Sequence, residues 1–297
     1  MNYKLEGYQK AISDLIVEKG RVGVFARMGC GKTLATLDAI YRLMYDSLEV
    51  KRVLVIAPKR VAEYVWSGEI EKWGFGFTYA KAIGAKKVRE AAIQKKADIT
   101  IINRENVPWV IKNFPFEWDM VVIDESSSFK SHNTQRFRAM KAVVDRYKKC
   151  VLLSGTPAPR GYQNLWSQIY LLDRGQRLSP TITSFRYIYL TPEKTNGAIV
   201  YSYKLRDGAK EKIDGKLSDI CFGLTGGQDC IKKVVDVKAV MDTRTRNLYT
   251  KFKKDQILDI DGGELTAVTA GVLSNKLLQF ASGAVYTENP SYYVFHH

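Results

Sequence analysis

RVGVFARMGCGKT, residues 21–33, joins an apolar, β-type run to a Gly-rich loop that ends in Lys-Thr. Gly29 and Gly31 can adopt positive φ, which lets successive backbone N–H groups turn inward around phosphate oxygens. A helix that begins near Lys32 adds the positive end of its dipole. In this pattern Lys32 reaches the β- and γ-phosphates and the Thr33 hydroxyl binds Mg²⁺. The stretch predicts a nucleotide-binding loop, with ATP and Mg²⁺ as ligands, over the alternative of a chance Gly-rich turn.

The loop comprises ARMGCGKT, residues 26–33, and its other residues are interpreted from their positions in this motif. Met28 and Cys30 are expected to contact the nucleotide beside the two glycines, Lys32 and Thr33. Cys30 is interpreted as a small loop residue and not as a nucleophile. Ala26 occupies the first position of the pattern, where glycine is usual.

A second apolar run, VVIDE (121–125), ends in two adjacent acids. Asp124 is expected to hold Mg²⁺ through water, and Glu125 to polarise the water that attacks the γ-phosphate. An apolar strand that ends in two acids is weak support for a site when taken alone. Downstream of a phosphate-binding loop, the same acids indicate the metal and water half of an ATP hydrolysis site.

A third element, SGTPAP (154–159), again follows an apolar run. Ser154 and Thr156 offer hydroxyls beside the acid pair, and Pro157 interrupts the backbone hydrogen bonding after them. Alone, the segment would be interpreted as a turn. In this order along the chain, it is expected to couple the nucleotide site to movement.

Five short apolar runs alternate with helical patterns from residue 20 to 157. The runs are RVGVFA (21–26), RVLVIAP (52–58), ADITIIN (97–103), MVVID (120–124) and CVLLSG (150–155). Continuous apolar runs of this length are typical of strands buried on both faces of a parallel sheet. Between them apolar residues recur at helical spacing, as in Leu34, Leu37, Tyr41 and Met44, and in Trp66, Ile70 and Trp73. The pattern predicts an α/β fold with a mainly parallel central sheet, whose ligands bind at the carboxyl ends of the strands.

The pattern changes after about residue 175, and we place a domain boundary near 175–180. TPEKTNGAIV (191–200) and KLRDGAKEKIDGK (204–216) are polar and contain glycine, which predicts loops or a small insertion. VVDVKAV (234–240) predicts a strand. RTRNLYTKFKKDQIL (244–258) predicts a basic helix that packs Leu248 and Phe252 inward.

The charge balance favours polyanionic partners, since 46 Lys and Arg stand against 31 Asp and Glu. The four cysteines lack paired metal spacing and only three histidines occur, so no zinc site is expected. The amino-terminal residues MNYKLEGYQKAI carry charges throughout, unlike a signal peptide, and no apolar run approaches the length of a membrane span. These features predict a cytoplasmic protein with no membrane partner.

Together the motifs resemble those of superfamily 2 helicases and translocases, and more closely the Swi/Snf-like branch in its compact phage-type form. The resemblance covers nearly the whole chain. Besides ARMGCGKT and the SGTPAP region, its segments are LEGYQKAISDLI (5–16), VLVIAPKRVAEYVWSGEIEKW (53–73), ITIINRENVPWV (99–110) and DESSSFKS (124–131). The resemblance implies a RecA-like P-loop lobe in 1–175, followed in 176–297 by a smaller, largely helical insertion and a linker towards a second lobe. It also implies a bacterial or phage-infected host cell.

The family's motifs assign further residues to ligands. Gln9 corresponds to the glutamine that recognises the adenine edge. Lys59, Arg60, Arg104 and Lys130 lie in motifs that contact nucleic acid, so they are expected to bind the phosphate backbone of DNA or RNA. The alternative interpretation is solvated surface charge. The tryptophans at 66, 73, 109 and 118 are expected to be mostly core residues.

Two departures from the family's pattern stand out. Ser127 replaces the His or Asp that usually contacts the SGTP motif, which predicts weaker or water-mediated coupling. No second RecA-like lobe with its arginine finger follows, so KLLQFASGAVYTENPSYYVFHH (276–297) is expected to be the linker towards it. The chain by itself is therefore expected to bind ATP and to hydrolyse it slowly.

Three functions remain open at this point. The leading one is an ATP-dependent DNA helicase or translocase motor. The alternatives are a P-loop kinase or NTPase acting on a small molecule, and an ATP-gated DNA-binding module without turnover. SGTP after the acid pair disfavours the kinase, and the intact Lys32, Thr33, Asp124 and Glu125 disfavour the module. Preference for single or double strands, and unwinding as against translocation, stay open.

Overall fold

The computed structural model describes residues 3–158, 161–197, 199–223, 241–260, 263–267, 269–286 and 292–295. The chain divides into two compact units, Met1–Ile231 and Lys232–His297. The functional division expected above, an ATP-binding lobe in 1–175 and an insertion with a linker in 176–297, stays a prediction.

A seven-stranded sheet forms the centre of the first unit, and every pair of neighbouring strands is parallel. Its strands are β1 (Arg21–Phe25), β2 (Val53–Ala57), β3 (Tyr79–Ala82), β4 (Ile99–Asn103), β5 (Met120–Asp124), β6 (Lys149–Ser154) and β9 (Cys221–Phe222). Their order across the sheet is β3-β4-β2-β5-β6-β1-β9. Consequently β5, β6 and β1 are adjacent, and their carboxyl ends meet at one edge.

Helices cover both faces of this sheet. They are α1 (Gly7–Lys19), α2 (Lys32–Tyr41), α3 (Trp66–Trp73), α4 (Lys86–Gln94), α5 (Val107–Asn113), α6 (Gln135–Ala142), α7 (Leu165–Asp173), α8 (Ile182–Tyr189) and α9 (Ala209–Leu217). Two cores result: Val53 and Val55 of β2 pack with α1–α3 on one face, while Leu54 and Ile56 pack with α5–α9 on the other. None of the helices in the described ranges is long and apolar enough to cross a membrane.

The predicted α/β class and parallel sheet are confirmed, and all five predicted strands are present within about two residues of their expected bounds. Both predicted helices are present as α2 and α3, each adjoining a π-helical turn, Arg42–Asp46 and Val61–Val65. β3 and β9 were not predicted. β3 lies at an edge and is partly exposed, and β9 has only two residues, so neither carries a continuous apolar run.

Of the two alternatives predicted for 191–200 and 204–216, loops are wrong, and a small insertion stays a prediction. β7 (Leu190–Asn196) and β8 (Ile199–Leu205) pair as an antiparallel hairpin, and α9 follows. β7 is polar because most of its side chains are exposed. In α9 the buried residues Ala209, Ile213 and Leu217 recur every four positions, which a single face of a short helix suffices to provide.

The second unit has its own core, formed by Phe252, Leu258, Leu265, Ala267, Phe280 and Val285. Its elements are α10 (Thr243–Asp255), β10 (Ile257–Ile260), β11 (Gly263–Thr266), α11 (Ala270–Ala281), β12 (Ala284–Tyr286) and β13 (Tyr292–Val294). The predicted basic helix is present and packs Leu248 and Phe252 inward, but it ends earlier than expected. Gln256 is left-handed, with φ 61°, and Ile257 then begins β10. The strand predicted over 234–240 lies outside the described residues.

Candidate nucleotide-binding site

Three adjacent strands present the predicted motifs at the same edge of the sheet. β1 leads into the phosphate loop, β5 ends at Asp124, and β6 lies between them and ends at Ser154. Ligands of open parallel sheets bind at the carboxyl ends of the strands. The strand order therefore brings together motifs that are far apart in the chain.

The predicted phosphate loop, residues 26–33, has the backbone conformation expected from its glycines. Gly29 and Gly31 both have positive φ, 82° and 63°. Gly31 is the N-cap of α2, so the first free N–H groups of that helix begin at Lys32. The Lys32 ammonium donates to the carbonyl oxygens of Ala26 and Arg27, at 2.5 and 2.7 Å. These bonds hold a positive charge directly over the loop.

Gln9 lies against this loop. It is buried in the first turn of α1, and its Oε1 accepts a hydrogen bond of 3.0 Å from the backbone N–H of Glu6. A Cβ placed on Gly31 would overlap the Nε2 of Gln9. The carboxamide and the loop backbone are therefore in close contact, and a side chain at position 31 would require the carboxamide of Gln9 to move.

Both carboxylate oxygens of Asp124 are hydrogen-bonded. Oδ2 accepts from the indole N–H of Trp66 at 3.0 Å, and Oδ1 accepts from the backbone N–H of Glu125 at 2.9 Å. Burial raises the pKa of Asp124, and the bonds from Trp66 and Glu125 and the charge of Lys32 partly offset this effect. The carboxylate of Asp124 is thus held in one orientation in a partly desolvated environment.

Glu125 is a left-handed, non-glycine residue with φ 53°. A residue with a side chain is strained in this conformation by about 1–2 kcal/mol, so its surroundings must enforce it. Its Oε1 accepts hydrogen bonds from the hydroxyls of Ser127, at 2.9 Å, and Ser154, at 3.4 Å. Ser154 in turn accepts from the backbone N–H of Thr156 at 3.1 Å. Ser127 therefore contacts the acid pair directly, and a chain of hydrogen bonds joins Glu125 to the SGTP segment.

One open cleft of about 670 Å³ is lined by most of the predicted ATP-binding and catalytic residues. The structure brings together Gln9, Met28, Gly29, Gly31, Lys32, Thr33, Asp124 and Glu125. Cys30 is buried and does not line the cleft, whereas Met28 is 78% exposed. The opposite wall comes from the Val61–Val65 turn and α3, including Val61, Val65 and Trp73.

The donors in this cleft fit Mg²⁺. The Thr33 hydroxyl and the Asp124 carboxylate supply hard oxygen ligands, and Mg²⁺ typically takes one or two carboxylates together with phosphate oxygens. Within the described residues, no group of three or more His, Cys, Asp or Glu could hold a metal ion by itself. This donor set therefore suits an ion shared with nucleotide phosphates.

Sequence reasoning missed two buried residues next to the site. One is Trp66, treated above as a core residue. The other is Gln168 of α7, which is fully buried. Its Oε1 accepts from the Ser126 hydroxyl at 2.8 Å, and its Nε2 donates to the carbonyls of Pro157 and Asn164 at 2.6 and 2.8 Å. A glutamine inside the apolar face of LWSQIYLL was the available signal.

The expected nucleic-acid residues follow strands β2, β4 and β5, which are adjacent in the sheet. Lys59 and Arg60 are exposed just after β2. Arg104 follows β4, is half-buried, and pairs with Glu105 at 2.9 Å. Lys130 is half-buried, and its carbonyl accepts from Ser167. All four lie beyond the carboxyl ends of strands, at the edge of the sheet that carries the cleft.

The parallel sheet, with its loop and acid pair at one edge, defines a RecA-like α/β lobe. The profile of the SNF2-related domain matches residues 16–221. The chain belongs to this family, which confirms the predicted Swi/Snf-like resemblance.

Relatives of the chain include a phage protein and two eukaryotic proteins, one named as an ATPase and one as a helicase and endonuclease. "Putative protein p41" of Acyrthosiphon pisum secondary endosymbiont phage 1 is 29% identical over 95% of this chain and 64% of its own length. The "ISWI chromatin-remodeling complex ATPase ISW1" of Saccharomyces cerevisiae is 29% identical over 57% of this chain. The human "DNA annealing helicase and endonuclease ZRANB3" is 28% identical over 57%. The chain spans less than two thirds of p41 and only 15–16% of the other two.

Two solved structures share the fold. The Sulfolobus solfataricus SWI2/SNF2 ATPase core in complex with dsDNA has a TM-score of 0.61 at 23% identity, covering 75% of this chain and 44% of that chain. The Sulfolobus solfataricus SWI2/SNF2 ATPase core domain has a TM-score of 0.56 at 21% identity, covering 95% and 57%. At this level of identity the likeness establishes the architecture.

Proposed function

We propose that this chain is the ATP-binding lobe of an ATP-dependent DNA helicase or translocase motor. The observation that carries the proposal is that Lys32, Thr33, Asp124 and Glu125 line one cleft. These are the residue types that bind and hydrolyse a nucleoside triphosphate with Mg²⁺. Membership of the SNF2-related family supports the same activity, because relatives are named as ATPases and helicases.

Each of these residues has a role that its position supports. The α2 N-terminus and Lys32 neutralise the phosphates, while Thr33 and Asp124 hold the metal ion. Bound Mg²⁺ supplies neutralisation of charge on the transferred phosphoryl group. Glu125 orients the attacking water, and the Ser127 and Ser154 hydroxyls fix its carboxylate. Gln9 is proposed to recognise the base, while Met28 and Cys30 complete the loop.

DNA is the proposed nucleic acid along which the motor moves. A solved structural neighbour is named as a complex with dsDNA, and this chain carries a formal charge of +15. Lys59, Arg60, Arg104 and Lys130 are proposed to bind backbone phosphates, so affinity should depend little on base sequence. A hydrogen-bonded path from Glu125 through Ser154 to Thr156 supports coupling between hydrolysis and movement.

Hydrolysis at full rate is proposed to need a second RecA-like lobe. An arginine supplied by such a lobe is worth about 10³–10⁵ in rate in related phosphoryl-transfer enzymes. This chain alone is therefore expected to bind nucleotide and to turn it over slowly. The cytoplasmic location expected from the sequence stays a prediction.

The test compares ATPase rates without nucleic acid and with single-stranded, duplex and branched DNA. It uses this chain and a version extended through a second lobe, with Lys32→Ala as the blank in each. The motor is supported if DNA stimulates the extended version and Lys32→Ala abolishes the stimulation. Nucleotide and DNA binding without turnover in the extended version would instead establish the ATP-gated DNA-binding module. Turnover indifferent to DNA would point to a small-molecule NTPase.

A further inference from the structure

Trp66 connects the first turn of α3 to the acid pair. Its side chain is fully buried, and its indole N–H donates to Oδ2 of Asp124 at 3.0 Å. The backbone N–H of Glu125 holds Oδ1 of the same carboxylate. Because both oxygens have a fixed donor, rotation of the carboxylate about its Cβ–Cγ bond is restricted on both sides.

An indole is well suited to this task. It is rigid and has a single donor, which needs a partner when the ring is buried. The ring itself belongs to the apolar core between the sheet and α1–α3, together with Ala62 and Ile70. The core therefore fixes the N–H, and the N–H fixes the carboxylate.

The segment that carries Trp66 has an irregular backbone. Trp66 begins α3 directly after the π-helical turn Val61–Val65. Such turns are rare and frequently occur at functional sites, because the extra residue changes the direction of the side chains that follow. Val61 and Val65 line the same cleft as Asp124, so the turn and the carboxylate face one ligand.

We propose that Trp66 is a positioning residue for the metal ion: its indole N–H holds the Asp124 carboxylate in the orientation that binds Mg²⁺ with the nucleotide. This inference rests on the proposed nucleotide site. Removing a group that orients a metal ligand typically lowers metal affinity 10–100-fold.

The test is a Trp66→Phe variant, which keeps an aromatic ring and removes the N–H. Trp118→Phe is the matched control, because Trp118 is 2% exposed and its indole donates to the Thr100 hydroxyl at 3.1 Å, away from the acids. The affinity of the whole chain for ADP is measured by calorimetry with Mg²⁺ and with EDTA. The dissociation constant in EDTA divided by that in Mg²⁺ reports how much Mg²⁺ strengthens ADP binding. This ratio should fall about tenfold in Trp66→Phe and stay unchanged in Trp118→Phe.

The outcomes separate the inference from the function on which it rests. A loss of affinity equal in Mg²⁺ and in EDTA, or no loss, would overturn the positioning role while leaving the nucleotide site intact. An equal fall of the ratio in both variants would also overturn the positioning role, since any change of a buried tryptophan would then have the same effect. If the unmutated chain binds no ADP, the proposed function itself fails and the inference with it.

A second measurement needs no mutation and applies even if Trp66→Phe does not fold. Of the four tryptophans that do not line the cleft, Trp66 is the one whose indole ¹⁵N–¹H signal should shift when Mg²⁺ is added to the ADP-bound chain. The Trp118 signal should stay in place. A stationary Trp66 signal on Mg²⁺ binding would overturn the proposal.

Discussion

Gly31 lies where the predicted phosphate loop meets α2. Replacing it with alanine adds a strained positive φ and an overlap with Gln9. Gly29→Ala is the matched control, because Gly29 also has positive φ but open space around its Cβ position. We expect Gly29→Ala to lower the free energy of unfolding by about 1–2 kcal/mol. Gly31→Ala should lower the free energy of unfolding by about 0.5–1.5 kcal/mol more, because the carboxamide of Gln9 must move and gives up its hydrogen bond from Glu6.

Urea unfolding of the variants measures this difference. Adding Gln9→Ala to Gly31→Ala should recover most of the extra loss, since the overlapping carboxamide is then absent. Equal costs for the two glycine variants would contradict the close contact between Gln9 and the loop.

Cys150 and Cys221 make a second prediction at this scale. Burial raises the pKa of each thiol to about 12, so at pH 8 only about one thiol in 10⁴ is the reactive thiolate. Neither should be alkylated by iodoacetamide in the folded chain, and both should react fully in urea. Peptide mass spectrometry assigns the sites. Rapid native labelling of either residue would show that its strand opens readily.

Among the elements, α7 holds the motifs together through Gln168. Gln168→Leu keeps the volume but leaves the Ser126 hydroxyl and the carbonyls of Pro157 and Asn164 without their partner. An unpaired buried group such as the Ser126 hydroxyl costs about 1–3 kcal/mol, and the two carbonyls, which are only partly buried, add less, so the free energy of unfolding should drop by about 2–5 kcal/mol. Gln94→Leu, at an exposed position at the end of α4, should change it by less than about 0.5 kcal/mol. Similar effects of the two substitutions, measured by thermal unfolding, would refute this role.

The elements also show what could be predicted from sequence. β2 was predictable because VLVIA is buried on both faces, so every one of its residues is apolar. β7 was not, because its polar residues pair in an exposed hairpin and no apolar pattern marks it. The loop and the acids were predictable from short motifs. The bonds of Trp66 to Asp124 and of Gln168 to Ser126 were not, because they join residues 58 and 42 positions apart, which only the fold brings together.

For the whole molecule, the prediction concerns salt. Each phosphate contact contributes about −0.9 to the slope of log affinity against log salt for duplex DNA. Lys59→Ala with Arg60→Ala should therefore make the slope shallower by about 2 and weaken binding to all sequences similarly. Lys51→Ala with Lys95→Ala is the matched control, since these exposed lysines precede β2 and β4, at the opposite edge of the sheet. Fluorescence anisotropy at several salt concentrations measures both. Identical slopes in the two double variants would argue against a DNA contact after β2.

The parallel direction of all seven strands has a practical consequence for single-molecule work. The two ends of a five-residue strand lie about 13 Å apart, so a dye or surface tether before β4 stays clear of the cleft. A cysteine introduced at Lys95 provides such an attachment point, because that side chain is exposed. Cys150 and Cys221 would not compete for the label, because both thiols are buried. The chain could then be tethered at the edge of the sheet where the strands begin, while nucleotide and DNA are exchanged at the edge where the strands end.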